Sequence, residues 1–379
     1  MKTTNLLMLV AGTALTAGVA NADGLTLAQG DTSLSIGGTA QFRWNSSFRD
    51  DNTVGNQDDF TTGFSTPRTR LKAMGTVWSK NLSFYIQGNF GSAGGGTGDG
   101  FNLEEAYGKY TWDSGLFAMW GQMIPFLLTE ETVADEAQLG MEQGIASKFF
   151  SPGYVQGVSL GWQGDMWRVV GAFSDGAATN GTDWNSTSEA DYAITLRADV
   201  KVFGSDWARF NDFTSWRSAS DNALRVGGGV HFQDGGETGG TVDTQFLTYN
   251  LDVQYEAAGW NIFAAGYGSN TDDGTVDTDL FGGAIQAGFF VSDQAEIFAR
   301  WDGLFFDDAA APGADDNVHF ATVGLNYYVS PESHAAKFTG QVGYALNDST
   351  GIFSDTTNGF LGDSEDGEIS IGAQFQIMF

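Results

Sequence analysis

The stretch Ile369-Ser370-Ile371-Gly372-Ala373-Gln374-Phe375-Gln376-Ile377-Met378-Phe379 decides how the chain reads. Ile369, Ile371, Ala373, Phe375, Ile377 and Phe379 are apolar, and Ser370, Gly372, Gln374 and Gln376 between them are small or polar. Successive side chains of a strand point to opposite faces, so a period of two gives one apolar and one hydrophilic face. The same alternation recurs upstream. Leu224, Val226, Gly228, Val230 and Phe232 oppose Arg225, Gly227, Gly229, His231 and Gln233. Leu247, Tyr249, Leu251, Val253 and Tyr255 oppose Thr248, Asn250, Asp252 and Gln254.

Extended along the chain, this reading gives sixteen strands, at 32–44, 66–78, 81–90, 102–112, 115–124, 154–162, 165–173, 190–201, 222–233, 244–256, 259–268, 280–291, 294–303, 317–329, 335–347 and 368–379. Each is near the length a tilted strand needs to cross a bilayer, about 9–11 residues. Short turns, as at Ser79-Lys80, Asp113-Ser114, Gln163-Gly164, Ala257-Ala258 and Ser292-Asp293, alternate with long polar loops at 45–65, 91–101, 125–153, 174–189, 234–243, 269–279, 304–316 and 348–367. That is the rhythm of a barrel with loops at one end and turns at the other. One connection, 202–221, is long where a turn is expected. Trp44, Trp78, Trp112, Trp162, Tyr327, Tyr328 and Phe379 fall at expected strand ends, as in interfacial aromatic girdles. Hydrocarbon offers no water to a strand edge, so such a sheet has to close. The expected fold is all-β: a transmembrane antiparallel barrel of about sixteen strands around a water-filled lumen.

Composition agrees. The 379 residues carry 47 Asp+Glu against 17 Lys+Arg, a net charge of −30, with no cationic cluster to hold a phosphate backbone, so nucleic acid is not an expected partner. Gly 53, Phe 30, Trp 11 and Tyr 11 beside Pro 5 suit strands. A hydrophobic fraction of 41% excludes a disordered acidic polymer. Cys 0 removes disulfides and thiolate ligands, and neither a cofactor nor a metal is expected. Lys2, the apolar run Leu6 to Ala20 and the small-x-small Ala20-Asn21-Ala22 predict a signal peptide at 1–22 and a barrel domain over 23–379, placed in a bacterial outer membrane.

Gly157-Val158-Ser159-Leu160-Gly161 matches the nucleophile-elbow pattern, but Ser159 lies inside an alternating strand with no helix after it. No enzymatic activity is expected. His231, His319 and His334 are the available general bases: His319 has outward parity and His334 lies in a turn. The expected function is a porin, a passive channel for small hydrophilic solutes and ions, with anions such as phosphate among the candidates. A barrel-anchored surface protein without an open pore is the alternative, and a barrel hydrolase a distant third.

Gly121-Gln122-Met123-Ile124-Pro125-Phe126-Leu127-Leu128-Thr129-Glu130-Glu131 resembles the signature of the phosphate-selective porin O and P family, in which a strand ending in Gly-Gln runs through Pro-Phe into a long loop opening on Glu-Glu. Arg68-Thr69-Arg70-Leu71-Lys72, Leu103-Glu104-Glu105-Ala106-Tyr107 and Met141-Glu142-Gln143 are similar to further family segments. The similarity is best over 66–200 and makes Gly121, Gln122, Pro125 and Phe126 the family motif residues. It implies a sixteen-stranded homotrimeric porin whose third loop folds into the lumen, with outer-membrane lipid and lipopolysaccharide around it.

Strand parity places Arg68, Arg70, Lys72, Lys109, Arg168, Arg197, Arg225 and Arg300 on the lumen face, with Glu105, Asp199, Asp252, Glu296 and Asp302 as inward acids. Each charge either serves the pore or pairs across the wall. Arg68, Arg70 and Lys72 carry more functional weight, because like charges on one face repel. Glu130, Glu131, Asp135, Glu136 and Glu142 of the third loop are expected to form the opposite side of an eyelet, or else to dock the loop. Acidic pairs in the other loops, Asp50-Asp51, Asp58-Asp59, Asp272-Asp273, Asp307-Asp308, Asp315-Asp316 and the run Asp363 to Glu368, lack calcium-loop spacing and read as solvated surface.

Overall fold

The computed structural model describes residues 24–49, 59–91, 100–184, 186, 189–235, 244–306, 317–348, 355–362 and 367–379. The signal peptide expected at 1–22, the glycine-rich stretch 92–99, Asp50-Asp51, Asp58, Asp307-Asp308, Asp315-Asp316 and residues 363–366 lie outside them.

Alternation produces strands β1 (Leu25–Gln29), β2 (Thr32–Phe48), β3 (Phe60–Ser65), β4 (Thr69–Val77), β5 (Ser79–Asn89), β6 (Asn102–Thr111), β7 (Leu116–Met123), β8 (Val155–Gln163) and β9 (Trp167–Ser174). It continues through β10 (Tyr192–Phe203), β11 (Ala223–Asp234), β12 (Gln245–Ala257), β13 (Trp260–Asp272), β14 (Asp277–Phe290), β15 (Ala295–Phe306), β16 (Asn317–Tyr328), β17 (Ala336–Ala345) and β18 (Ile369–Met378). Neighbours pair antiparallel, and β18 closes on β2 from Ile369↔Phe48 to Met378↔Thr39.

These segments make sixteen staves. β3 and β4 pair with successive parts of β2 and form one stave, broken at Thr66-Pro67-Arg68, where proline has no N–H for the ladder. The expected loop at 45–65 is correspondingly shorter, because β2 runs on to Phe48 and β3 begins at Phe60. β1, which parity does not reveal, lies along β2 below the end of β18, and Gly38 and Phe379 exchange backbone hydrogen bonds of 2.8 and 3.0 Å at that junction.

Burial is inverted relative to a soluble protein. Leu251 and Val323 are 73% and 57% exposed, whereas Gln254, Asn326 and Gln376 are fully buried. Apolar side chains therefore form the outer skin and polar ones the inner lining, the arrangement a bilayer requires.

Among the described residues, three connections bring apolar side chains into the lumen. The third loop, 124–154, carries short helices Thr129–Thr132 and Ile145–Phe150 and a 3-10 turn Asp135–Ala137. Leu127, Leu128, Ile145, Ala146 and Phe150 pack on Tyr267, Ala284, Leu304, Val318 and Phe320 of β13–β16, which gives the loop an apolar seat on one half of the wall. Phe360, from the last long loop, joins this cluster. The long connection after β10 contains a 3-10 turn, Trp207–Asn211, and enters from the turn end, where Phe213 packs with Phe263, Phe298, Val133, Ala137 and Leu139. Its length is thus an inward plug, not an extra strand.

Two expected girdle residues are placed differently. Tyr328 faces inward, with its hydroxyl donating to Glu296 at 2.7 Å, and Trp44 pairs with Ala373 in the body of β2, which is longer than alternation suggested. Trp78, Trp112, Trp162, Tyr327 and Phe379 are exposed near strand ends.

Candidate permeation site

The third loop turns inward because of the residues that precede it. Gly121 has φ +124°, a left-handed geometry in which a Cβ would stand 2.2 Å from the Ala106 carbonyl oxygen. Phe126, after Pro125, has φ +60° and completes the bend away from the wall. Gln122 acts one strand away: its Nε2 donates to the carbonyls of Leu103 at 2.6 Å and Glu104 at 3.0 Å, and its Oε1 accepts from the Gly181 amide at 2.9 Å. Those carbonyls need a partner because β6 bulges there. The register runs from Gln87↔Glu105 to Gly88↔Leu103, leaving Glu104 as the extra residue. The bulge turns Glu104 inward, where it takes the Arg70 guanidinium at 2.6 Å and amide donors from Gln87 and Asn89. Simple parity had put Glu104 on the outer face.

Much of the cationic lining holds the loop. Glu142 accepts a two-pronged ion pair from Arg68, at 2.8 and 2.7 Å, and another from Arg43 at 2.7 Å. Arg197 donates to the Leu127 carbonyl at 2.7 Å and to the Thr129 hydroxyl at 2.8 Å, and Arg300 donates to the Glu142 carbonyl at 2.9 Å. Lys337 donates to the carbonyls of Glu136 and Gln138 at 3.0 and 2.9 Å. On β18, Gly372 leaves room for the loop, since a Cβ there would lie 2.1 Å from Met141 Cε. Arg225 joins Asp199 at 2.8 Å and Asp252 at 2.9 Å, and Arg168 joins Asp199 at 3.0 Å, so these two brace the wall.

Arg70 and Lys72 are lumen-facing on β4, and Arg68 occupies the break before it. All three are paired: Arg68 with Asp135 at 2.8 Å as well as Glu142, Arg70 with Asp135 as well as Glu104, and Lys72 with Glu136 at 2.8 Å. Thr39 also donates to Glu136. Lys109 lies over the Phe117 ring at 4.4 Å, in no ion pair among the described residues. Glu130 and Glu131 stand apart from the cation cluster. Glu130 accepts from the Tyr267 hydroxyl at 3.2 Å and the Gly144 amide at 3.0 Å, and Glu131 accepts from Ser151.

The electrostatics of the loop follow. Burial pushes Glu130 and Glu131 up to about 7. Burial acts the same way on Glu136, but Lys72 and Arg70 outweigh it and bring that carboxyl down to about 2. Glu142 is also buried, and Arg68 and Arg43 hold it well below the ordinary range.

Between the docked loop and the β4–β7 wall remains a cavity of about 510 Å³. Its charged lining is Arg68, Arg70, Lys72 and Lys148 against Glu104, Glu105, Glu131, Asp135, Glu136 and Glu142, with Tyr85, Tyr107, Phe126 and Tyr154 among the other walls. Arg43 and Lys337 were missed as contributors to the lumen, although both share inner parity with Gln41 and Thr339 on their strands. Glu104 was hidden by the bulge. Ser159 donates to Met123 Sδ at 3.5 Å, and His231 contacts Thr195 and Gln233.

No family model and no curated relative matches the chain. Solved structures do match in fold. The anion-selective porin from Comamonas acidovorans aligns with a TM-score of 0.64 at 13% identity, covering 92% of this chain and 100% of that one. The outer membrane channel DcaP of Acinetobacter baumannii gives 0.60 at 12% identity over 93% and 99%. The trimer form of OmpT, an outer membrane protein of Vibrio cholerae, gives 0.59 at 14% identity over 92% and 100%. At such low identity the likeness is one of architecture: this chain has the closed sixteen-stave antiparallel barrel of outer-membrane porins.

Proposed function

We propose that the chain is a bacterial outer-membrane porin, a passive diffusion channel for small hydrophilic solutes and ions. The observation that carries this reading is the third loop's one-sided seat. The loop packs its apolar side on β13–β16 and leaves a charged, water-sized cavity along β4–β7, which we take as part of the passage. A surface anchor needs no such passage. In planar bilayers the purified protein is expected to give stepwise currents in KCl. A silent barrel would favour the anchor reading, to which the inward plug at 204–222 and the Phe360 loop lend support.

The narrower reading, anion selectivity with phosphate included and membership of the phosphate-selective porin family, draws on Arg68, Arg70 and Lys72 at the passage. The carboxylates on each of them oppose it. A pore selects by the field at its narrowest part, since charges farther than roughly 8 Å away are screened in physiological salt. Reversal potential in a KCl gradient, with phosphate competing against chloride current, distinguishes an anion filter from an unselective channel. The proposed assembly is a homotrimer, as in the trimer form of the OmpT neighbour, surrounded by lipid and lipopolysaccharide, and mass in mild detergent tests it. The proposed leader is 1–22, with the mature barrel from Asp23, which N-terminal sequencing of outer-membrane protein tests.

A further inference from the structure

The inner wall of a water-filled barrel is expected to be polar, yet the wall opposite the loop's apolar seat carries rings. Tyr85 on β5 and Tyr107 on β6 are cross-strand partners whose rings stack with centroids 5.5 Å apart and planes 27° apart. Both are only partly buried, and both line the cavity, with Phe126 and Tyr154 beside them. Tyr107 and Phe126 also pack against the apolar cluster of Phe117, Met119, Met123, Val155 and Val170, so the rings carry that apolar surface out to the cavity, where it is suited to contact with a planar apolar solute.

The charges around these rings do not balance. The cations Arg68, Arg70 and Lys72 are taken up by Asp135, Glu142, Glu104 and Glu136. Lys148, the other cation of the lining, is turned to Asp355 at 3.0 Å. Glu105, two residues from Tyr107 on the same face of β6, is in no ion pair among the described residues. This leaves Glu105 without an ion partner next to ring faces, which attract cations through their quadrupoles.

We propose that this cavity is a subsite for organic cations that carry a flat apolar ring and an ammonium group, the ring lying against Tyr107 and Tyr85 and the ammonium facing Glu105. The inference rests on the channel reading and gives it a substrate class. An inorganic cation has no flat apolar face to lay on the rings, and an aromatic anion meets Glu105 without a free cation of the lining to offset it.

The test uses the full-length protein in planar bilayers, with benzylammonium as probe. Butylammonium serves as the cation without a ring and benzoate as the ring without the positive charge. Benzylammonium is expected to reduce the KCl current at the lowest concentration of the three, about two- to tenfold below butylammonium, the factor expected of a ring–ring contact. Tyr107→Leu should remove that advantage and Tyr107→Phe should keep it, while Glu105→Gln should weaken block by both ammonium ions. The KCl steps of each variant report whether its barrel has formed. Equal block by benzylammonium and benzoate, or block by benzylammonium that Glu105→Gln leaves untouched, overturns the subsite and leaves the channel standing. Absence of KCl current in the unmodified protein overturns both.

Discussion

Glu142 is buried in the lumen between two guanidinium groups, and removing one of them is expected to be costly because a charge would remain without full compensation. Arg43→Ala should lower unfolding stability by about 3–5 kcal/mol, measured by urea titration in lipid vesicles. Arg43→Lys should recover only part, since a single ammonium cannot reproduce the contacts to Glu142, Gln374 and the Met141 carbonyl together. Gln122→Leu tests the bulge. It leaves two buried carbonyls unsatisfied, at about 1–3 kcal/mol each, and loosens Glu104 from Arg70, so the reversal potential should move toward anions. Much of this residue scale was legible. Parity put Arg70, Lys72, Lys109, Arg197, Arg225 and Arg300 on the lumen face, because a period of two leaves no other face for them. Glu104 escaped, since one inserted residue shifts the face of a side chain without altering the composition of its strand. Pairing was not legible, because partners such as Arg68 and Glu142 are brought together by a loop whose path alternation does not describe.

At the scale of elements, the third loop carries acids perturbed in opposite directions, and the sign of its pH response follows. Glu136 and Glu142, held low, favour the docked loop above the free carboxylate range near 4.3, and that contribution is lost as pH falls, for Glu136 through about 2. Glu130 and Glu131, raised to about 7, keep their protons in the docked state while a released loop gives them up from about 4.3. The docked state then binds more protons, so docking weakens as pH rises from about 4.3 to 7 and changes little beyond. Asp302 and Arg300 face Glu130 with opposite effects, and Ser151 and the Gly153 amide face Glu131, so neither has a close cation that reverses the sign. Amide exchange over 127–150, corrected for the intrinsic rate, should show faster opening at pH 8 than at pH 5, and Glu130→Gln with Glu131→Gln should flatten the difference. The inward turn after β10 belongs to the same scale. Trp207, Phe210 and Phe213 are the signal that could have identified it, three large apolar side chains in what should be a solvated connection, now buried against the lumen wall. Replacing 205–221 by a short glycine turn should raise single-channel conductance, because the turn end of the lumen, which the segment crosses from β9 to β16, would open. An unchanged conductance would mean that the current passes entirely along β4–β7.

For the whole molecule, the sixteen staves could be read from sequence because a bilayer imposes one rule on every strand: apolar outside, hydrophilic inside, about ten residues per crossing. A soluble sandwich obeys the same alternation with the faces exchanged, so the sense of the apolar face is the property on which the architecture depends. Leu251 decides between them. It lies at the centre of β12, is 73% exposed, and pairs with Gly228 and Gly266, which leave it projecting from a smooth patch. If that patch faces hydrocarbon, Leu251→Arg should reduce unfolding stability in vesicles by about 2–4 kcal/mol, the cost of an arginine near the midplane. The same substitution at Leu247, nearer the loop end of β12 and on the same face, should cost about 1 kcal/mol or less, because the guanidinium there reaches the headgroups. A water-facing patch would give near-zero cost at both sites with no dependence on depth. A graded penalty along one strand is therefore the measurement that separates a barrel with lipid on its outside from a sheet that merely alternates.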